Sequence, residues 1–302
     1  MPAFVYLLLP VLFWSGNYVL GRLTVSEGID PFTISFLRWS IACLIILPFA
    51  YKKVWAERSV IIKHWPLLIL FSWLGICNYN LFLYLGLTST SVTNAVLLNA
   101  IIPVIILITA RVLLGNKTSG VQNLGILLST IGAIVIISRG SLDTLLHLTM
   151  SQGDLWIIAA AISWAVYSVL IAKRPKDMSL IGFFTTTALV GTAIQAPLFI
   201  FFGSTALNEL SVTNWGTLLY MGLFASLAAF LCWNLGVHKL GAATAGQFIH
   251  LLPVFSISLS VLFLGESLYF FHYLGMLLIF SGIFVATLLN KKLSMQKAIK
   301  QS

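Results

Sequence analysis

The chain has 302 residues, of which 59% are hydrophobic and 8% are charged. Soluble domains carry about a quarter charged residues, so this composition excludes an ordinary water-soluble fold. A membrane-spanning helix needs about 20 apolar residues, and the length therefore allows about ten spans joined by short loops. Lys and Arg number 17 against 8 Asp and Glu, a formal net charge of +9 whose meaning depends on where the cations lie.

Ten apolar windows follow one another and predict an all-α polytopic membrane protein. The predicted spans are 3–21, 31–50, 65–86, 92–114, 120–138, 154–172, 180–202, 215–237, 242–264 and 270–289. A cytoplasmic N-terminus places 14 of the 17 basic residues on the cytoplasmic side, the exceptions being Arg22, Arg38 and Arg139. Because cytoplasmic loops are enriched in Lys and Arg, we expect both termini to be cytoplasmic. This placement explains the net charge, so we expect no nucleic-acid partner.

The second half of the chain repeats the first at a constant offset of 150 residues. Aligned pairs include Trp14 with Trp164, Ala95 with Ala245, Pro103 with Pro253, Gly125 with Gly275 and Gly132 with Gly282. Prolines and glycines that recur at one offset indicate a duplication. Each half holds five spans, an odd number, so the second half enters the membrane from the opposite face. The sequence thus predicts two inverted five-helix repeats, 1–150 and 151–290, and a basic cytoplasmic tail, 291–302.

Signals for enzyme chemistry are absent from the sequence. It contains no phosphate-binding loop, dinucleotide fingerprint, metal-spaced cluster or nucleophile elbow, so we expect no cofactor and no metal. Cys43, Cys77 and Cys232 lie in apolar stretches without paired spacing, which argues against a disulfide framework. No connection is long enough for a nucleotide-binding domain, so an ATP-driven pump is excluded. A membrane enzyme would gather titratable groups at one depth, whereas the span interiors offer little beyond Arg38 and His250.

Several motifs accompany the ten spans and the duplication. They are Trp14 in helix 1, Phe36-Leu37-Arg38-Trp39 early in helix 2, Pro103 and Pro253 within helices 4 and 9, and Gly265-Glu266 after helix 9. Over 3–290 the chain resembles EamA-type members of the drug/metabolite transporter superfamily. The resemblance implies export or exchange of amino acids or related small metabolites. The first half departs from the family pattern with Gly115-Asn116 in place of Gly-Glu, so no role for that carboxylate is carried over.

Polar and aromatic residues inside helices 1 and 6 are candidate substrate-binding residues. Trp14 and Asn17 share one face of helix 1, and Trp164 and Tyr167 repeat this spacing in helix 6. An Asn that faces lipid leaves its amide unsatisfied, so we expect Asn17 to face protein or a wet cavity. Both Trp residues lie away from the span ends, which favours cavity lining, with packing between helices as the alternative.

Helices 3 and 8 carry a second pair of candidates. Asn80 and Tyr84 lie at i and i+4 in helix 3, and their repeat partners are Phe230 and Asn234. Polar and aromatic residues therefore exchange places between the repeats, which predicts a pocket for an amphipathic solute. The alternative for each Asn is an interhelical hydrogen bond, worth about 0.6 kcal/mol.

Two prolines at equivalent positions are candidate hinges. Pro103 and Pro253 each lack a backbone donor and free the carbonyl four residues earlier, at Asn99 and Ile249. The freed oxygens can bind an ammonium group at a mobile bend. A permanent kink for packing is the alternative, because proline is common in membrane helices.

Ionisable residues within spans indicate functional sites. Gln247 and His250 share one face of helix 9, and His250 is a candidate to bind a carboxylate or take up a proton, with a neutral hydrogen-bonded histidine as the alternative. Arg38 can snorkel to the outer surface or pair with Glu27, Asp30 or a substrate carboxylate.

The absence of acidic residues from helix 1 limits how transport can be coupled to protons. It contains no acidic residue, so any proton coupling must use His250, Glu266 or the substrate itself. Glu266 follows helix 9 near the outer surface, too close to it to alternate between sides. We therefore expect transport that is facilitative or weakly coupled to protons through His250.

These features predict a secondary transporter of the inner membrane that exports or exchanges small amphipathic metabolites, most plausibly amino acids, by alternating access. Transport of sugars or nucleotide-related solutes is the first alternative, a membrane enzyme is a weaker one, and a structural or regulatory subunit without solute flux is a third. The expected partners are the lipid bilayer and a small-molecule substrate. We expect a monomer or a homodimer.

The orientation can be tested by labelling single cysteines from outside the cell in a variant that lacks Cys43, Cys77 and Cys232. The basic asymmetry predicts that 51–64 and 173–178 are cytoplasmic, whereas 139–153 and 203–214 are external. A cysteine at Ser204 or Thr205 should react with a membrane-impermeant reagent. Reaction at Ser59 would contradict the predicted orientation.

Overall fold

A computed structural model describes residues 3–116, 119–146, 150–264 and 267–289. Within these ranges the chain is helical, contains no strand and forms ten long helices. They are α1 (Val5–Ser26), α2 (Pro31–Ala56), α3 (Trp65–Ser89), α4 (Val92–Leu114), α5 (Gly120–Ile137), α6 (Gln152–Lys173), α7 (Leu180–Phe202), α8 (Val212–Leu240), α9 (242–264) and α10 (270–289). Residue Glu266 and the tail 291–302 lie outside the described residues.

The ten predicted spans are confirmed as helices, and nine of those described are long and apolar enough to cross a membrane. The remaining one, α1, has 22 residues, but Asn17 and Arg22 lower its hydropathy. The helix ends differ most from the prediction in α2, which continues to Ala56, six residues beyond the predicted end at 50. Helix α8 begins at Val212 because Ser211 and Asn214 form a capping box. The apolar window began three residues later.

Local signals set the helix ends. The side chains of Asp30, Ser91, Ser119, Ser151, Ser179 and Ser211 accept backbone N–H groups at the starts of α2 and α4 to α8. Gly115 and Gly241 follow α4 and α8 with φ values of +66° and +80°, a region that favours glycine. These turns hold consecutive helices antiparallel across short connections.

Helix packing follows the 150-residue offset and confirms the inverted repeat. The contact of α1 with α8 corresponds to that of α6 with α3, and the contact of α1 with α9 corresponds to that of α6 with α4. Three helix pairs map onto themselves when the repeats are exchanged, namely α2 with α7, α4 with α9 and α5 with α10. The halves are therefore related by a pseudo-twofold axis and interlock along their length.

Helices α5 and α10 approach each other through glycines. A Cβ atom added to Gly132 would lie 2.7 Å from the backbone oxygen of Gly275, and one added to Gly282 would lie 2.5 Å from that of Gly125. These two contacts exchange under the pseudo-twofold axis. The glycine stripe seen in the sequence is thus a close helix–helix contact, as expected for small residues in membrane interfaces.

The variant Gly132→Ala should be destabilised, because its new methyl group would collide with the backbone of α10. Overpacking of this kind costs about 1–3 kcal/mol. Gly216→Ala is the matched control, since a Cβ at Gly216 meets nothing within 4 Å. We expect a lower Tm for the detergent-solubilised Gly132→Ala protein and an unchanged or slightly higher Tm for Gly216→Ala. Equal Tm values would argue against a rigid glycine contact.

Candidate functional site

An aromatic cluster occupies the interface between the two repeats. Trp14 and Trp164, which are repeat partners, meet edge to face with ring centroids 5.1 Å apart. Trp233 and Phe230 pack on both of them, with centroid distances of 5.2 to 6.1 Å. The Trp14 indole N–H donates to the backbone oxygen of Ala225 at 3.0 Å. The cluster therefore joins α1, α6 and α8 at the pseudo-twofold axis.

A cavity of about 430 Å³ opens at the end of the bundle where α4, α6 and α8 terminate. Helix α4 of the first repeat and helices α6, α8 and α9 of the second repeat enclose it. Its lining includes Ala110, Leu114, Asn116, Ser168, Val169, Arg174, Lys176, Val237, His238 and Ala243. Ser168 also accepts a hydrogen bond from the Trp233 indole at 3.1 Å. The aromatic cluster thus borders the inner part of this cavity.

At the opposite end of the bundle, hydrogen bonds join the two repeats. The Asp30 carboxylate accepts the backbone N–H groups of Ser204 and Thr205, each at 3.0 Å. The Asn214 amide donates to Glu27. These bonds join the α1–α2 connection of one repeat to the α7–α8 connection and the first turn of α8 in the other. The cavity opens at one end of the bundle, and hydrogen bonds between the repeats hold the opposite end together; we call this the closed end.

Two tyrosine–asparagine hydrogen bonds occupy equivalent places in the two repeats. Tyr84 of α3 donates to the Asn17 side chain of α1 at 3.0 Å, and Tyr167 of α6 donates to that of Asn234 of α8 at 2.9 Å. The offset places Tyr167 at the position of Asn17 and Asn234 at that of Tyr84. The two repeats therefore make an equivalent contact in which tyrosine and asparagine exchange places.

Arg38 was not among the residues selected from the sequence as a substrate site. Its side chain is 1% exposed and does not snorkel. Its Nε donates to the Ser226 hydroxyl at 2.7 Å, and its Nη1 donates to Asn17 at 3.2 Å and to Tyr84. In the sequence, a single Arg within an apolar window indicated a functional residue. The sequence did not decide whether its side chain snorkels to the membrane surface.

The Asn80 side chain bonds to the backbone of its own helix, α3. Its amide donates to the backbone oxygens of Gly75 and Ile76 at 3.1 and 3.0 Å. Those carbonyls belong to a π-helical segment of α3, Ser72–Asn78, whose repeat equivalent in α8 is the π-helical segment Met221–Ala228. Such segments leave carbonyls without their usual partners and often mark functional sites. Asn80 therefore satisfies backbone atoms in α3.

Asn99 and Gln247 also bond to their own helices, with their amide nitrogens donating to Ala95 and Ala243. Both side chains are fully buried, and Asn99 Oδ1 and Gln247 Oε1 have no hydrogen-bond partner among the described residues. The carbonyl partners fix which amide atom is the nitrogen. Each side chain thus retains a buried acceptor, as expected at a site that binds a donor such as an ammonium group.

His250 lies at the contact between α4 and α9, beside its own repeat partner Ala100. Its Nε2 donates to the Ala100 carbonyl at 2.9 Å, and its Nδ1 is 2.8 Å from the Ser129 hydroxyl. Ala100 and Ile101 form the interruption between the helical segments Val92–Asn99 and Ile102–Leu114. His250 therefore satisfies a carbonyl exposed by this interruption.

Both prolines predicted to be hinges lie directly after helix irregularities. Pro103 follows the interruption in α4 and begins its second helical segment. Pro253 follows the 3₁₀ turn Phe248–His250, which separates Ala242–Gln247 from the remainder of α9. Irregular backbone thus occurs at equivalent places in the two repeats, where the chain can bend.

Within the described part of the chain, the ten predicted substrate residues do not share one cavity; they make several kinds of contact, and Tyr167 links two of them by stacking on Trp164. Trp14 and Trp164 are in the aromatic cluster, and the two tyrosine–asparagine bonds hold Asn17, Tyr84, Tyr167 and Asn234. Asn80, Asn99 and Gln247 bond to their own helices, and His250 bonds to α4 and α5. None of the ten lines the 430 Å³ cavity itself. Their roles in binding stay predictions.

Comparison with known proteins identifies the family. The EamA-like transporter family matches residues 1–138 and 151–288, one match in each repeat. The chain belongs to this family. Uncharacterized transporter YetK of Bacillus subtilis is 30% identical over 97% of this chain and 88% of its own length. Uncharacterized transporter YyaM of the same species is 27% identical over 91% of this chain and 90% of its own length.

A solved crystal structure shares the fold of this EamA-like protein, with a TM-score of 0.78 and 21% identity, over 96% of this chain and 98% of the other. At this identity the likeness supports the fold alone. The family and its relatives make the protein a multi-pass membrane transporter with a small-molecule substrate, and they point to transport rather than catalysis.

The closed end should weaken in acid because of Asp30. Burial raises the pKa of this carboxyl, but hydrogen bonds from Thr33 and Thr205 outweigh burial and hold its pKa below its usual value. A carboxyl whose pKa falls on folding stabilises the protein above its unfolded pKa of about 3.9, and this stabilisation disappears as pH falls through the folded value. The Tm difference between wild type and Asp30→Asn should be constant above about pH 5 and shrink below about pH 4.

Thermal unfolding of both proteins between neutral and acid pH measures this difference. Asp143→Asn is the matched control, because Asp143 lies in the short helix Leu142–Leu146, away from the Asp30 contacts. A difference between wild type and Asp30→Asn that persists unchanged well below pH 4 would contradict the assignment.

Proposed function

We propose that this protein is a secondary transporter that exports or exchanges small amphipathic metabolites, in particular amino acids, by alternating access. The observation that carries the proposal is the cavity between the repeats, open at one end while loop hydrogen bonds close the other. In inverted-repeat transporters, exchanging the arrangements of the two repeats moves the opening to the other side. The interlocked, symmetric packing of these repeats supports such an exchange.

The size and lining of the cavity support a small, partly apolar substrate. Its 430 Å³ lies within the range of about 300–1,000 Å³ typical of small-molecule sites. The lining is mostly apolar, with Arg174, Lys176 and His238 among its polar members. Beyond it lie the aromatic cluster and the two tyrosine–asparagine bonds, which offer apolar walls with polar groups at both sides of the pseudo-twofold axis.

Amino acids suit the buried polar groups better than neutral solutes do. The unpaired acceptors of Asn99 and Gln247 match an ammonium group. The residues selected from the sequence are proposed to contact substrate during the transport cycle, when the bends near Pro103 and Pro253 rearrange α4 and α9. We further propose that the cavity faces the cytoplasm of an inner-membrane protein, since it opens where the basic loops lie.

We propose that transport is facilitative or weakly coupled to protons through His250. Nε2 must carry a hydrogen because the Ala100 carbonyl can only accept. The Ser129 hydroxyl can donate to Nδ1, or it can accept from Nδ1 while donating to Gly125 or Ile126, whose oxygens are each 3.0 Å away. Rotation of one hydroxyl therefore accommodates both protonation states of the imidazole.

Flux assays in proteoliposomes across amino acids, sugars and nucleosides test the substrate class. Uptake of an amino acid supports the proposal, whereas uptake of only sugars or nucleosides, or of no solute, contradicts it. Asn80→Ala and Gln247→Ala should lower flux while protein abundance stays unchanged. Asn80→Ala acts through the backbone of α3, and Gln247→Ala acts by removing a buried acceptor.

Locking the closed end should stop transport. We expect the double variant Asp30→Cys and Thr205→Cys, built without the native cysteines, to lose flux on oxidation and regain it on reduction, because alternating access requires these loops to separate. The two residues are in direct contact, because the Asp30 backbone N–H donates to the Thr205 hydroxyl and the Asp30 carboxylate accepts the Thr205 backbone N–H, each at 3.0 Å. Each single variant is a control, and full flux in the oxidised double variant would exclude opening at this end.

Replacing His250 should remove any response to a pH gradient. Flux in His250→Asn proteoliposomes is expected to be the same with and without an imposed gradient, because Asn has no titratable ring. His64→Asn, outside the spans, is the matched control and should respond as wild type does. If the His250→Asn variant still accumulated substrate fully in response to the pH gradient, His250 would serve only in packing.

A further inference from the structure

Arg38 is a buried cation that the described part of the protein leaves without a counter-ion. Arg38 belongs to α2, and its side chain is buried, with 1% of its surface exposed. The three groups it donates to, on Ser226, Asn17 and Tyr84, are neutral. The one salt bridge among the described residues joins Lys53 to Glu57, at the other end of α2. A charge in the membrane interior is costly unless it is paired, so an unpaired one marks a functional site.

The acidic residues that the sequence offered as partners for Arg38 are engaged elsewhere. Glu27 accepts from Asn214, and Asp30 accepts from Thr33, Ser204 and Thr205. Both carboxylates thus bond to neighbouring groups at the closed end of the bundle. Of the alternatives raised by the sequence, the structure therefore leaves a substrate carboxylate.

Two donors in this group make no hydrogen bond among the described residues. The bonds of Arg38 use Nε and Nη1 and leave Nη2, and the bonds of Asn17 use Oδ1 and leave Nδ2. The guanidinium fork of Arg matches the two oxygens of a carboxylate. An adjacent amide N–H₂ adds a further donor of the right kind.

The environment of Arg38 also connects it to the cavity. Trp39 packs edge to face against Phe230, which contacts Trp164. Trp164 contacts Trp233, whose indole donates to the cavity-lining Ser168. This chain of aromatic contacts leads from the opening to the cation. Ser226 lies in the π-helical segment Met221–Ala228, where an altered turn can shift the side chain that holds Arg38 Nε.

The second repeat lacks an equivalent cation. The offset of 150 residues places Ala188 at the position of Arg38, so the Tyr167–Asn234 bond has no guanidinium beside it. The two repeats therefore differ in charge at this depth although they match in their tyrosine–asparagine contacts. One chain can hold one anion here, on the side of the first repeat.

We propose that Arg38 and Asn17 form a carboxylate-binding subsite that accepts the anionic end of the substrate through Arg38 Nη2 and Asn17 Nδ2; this inference rests on the proposed transport function and names the group that the site selects. Tyr84 and Ser226 position the guanidinium through Nη1 and Nε. Solutes with the same body but a carboxamide in place of the carboxylate are poor substrates.

The first test needs no knowledge of the substrate. Asn17→Asp places a carboxylate beside Arg38, so the ligand-free, full-length protein in detergent should melt about 2–4 °C higher. In the Arg38→Gln background the same change buries an unpaired carboxylate and should lower Tm. Arg111→Gln, which removes an equal charge from an exposed position on α4, is the control background in which Asn17→Asp still raises Tm. A fall in Tm on Asn17→Asp with Arg38 present overturns the proposal.

The second test uses defined probes. Acetate, benzoate and 3-phenylpropionate, with their carboxamides, are added to wild type, Arg111→Gln, Arg38→Gln and Asn17→Asp. At least one carboxylate should raise the Tm of wild type and Arg111→Gln but not that of Arg38→Gln and Asn17→Asp. No carboxamide should raise the Tm of any of the four proteins. No stabilisation by any carboxylate, or equal stabilisation in all four proteins, overturns the proposal.

Flux measurements separate this inference from the proposed function. For a transported amino acid, Arg38→Gln should raise KM about tenfold or more, as expected when a charge-assisted hydrogen bond is lost. If amino acids are transported but their carboxamides compete equally well, the subsite is wrong and the transport function stands. If no amino acid is transported although the Tm tests succeed, the amino-acid assignment fails and the anion subsite stands.

Discussion

The requirement that backbone polar groups find partners away from water governs this structure. Hydrocarbon supplies no hydrogen bonds, so each irregularity in a spanning helix needs a side chain to satisfy it. His250 bonds to the Ala100 carbonyl at the interruption of α4, Asn80 to the π-helical turn of α3, and Trp14 to the Ala225 carbonyl in α8. Several polar residues that stand out in an apolar sequence thus have a structural partner, and these partners lie where the helices can bend.

The pseudo-twofold axis organises both packing and chemistry. Self-equivalent helix pairs form the interface, the glycines of α5 and α10 bring backbones together, and the Trp14–Trp164 contact marks the centre. Symmetry of this kind gives two related arrangements of similar energy, which is what alternating access needs. The closed end uses loop contacts of modest strength, such as those of Asp30, that can break without disturbing the helix core.

Departures from the symmetry point to the substrate. Arg38 has Ala188 as its repeat partner, and His250 has Ala100. These two ionisable residues of the span interiors therefore lie on different helices and are not duplicated. A symmetric framework that carries asymmetric charges can bind a solute in one orientation while it opens to either side. The buried acceptors of Asn99 and Gln247 and the donors of Arg38 and Asn17 are the groups on which such an orientation would depend.

The ten spans, the duplication and the inverted topology were predictable from the sequence, because apolar length and a constant offset leave few alternatives in a bilayer. The sequence showed polar and aromatic residues exchanged between helices 3 and 8, with Asn80 and Tyr84 matched by Phe230 and Asn234. The structure instead made hydrogen bonds of Tyr84 with Asn17 and of Tyr167 with Asn234. Whether a polar side chain reached a cavity, a neighbour or its own helix depended on side-chain direction and on helix irregularities. Only the structure decided that Asn80 bonds to its own helix, because this depends on the local π-helical turn. Only the tertiary structure decided that Arg38 is buried without an anion, because its neighbours Asn17, Tyr84 and Ser226 are far apart in the chain.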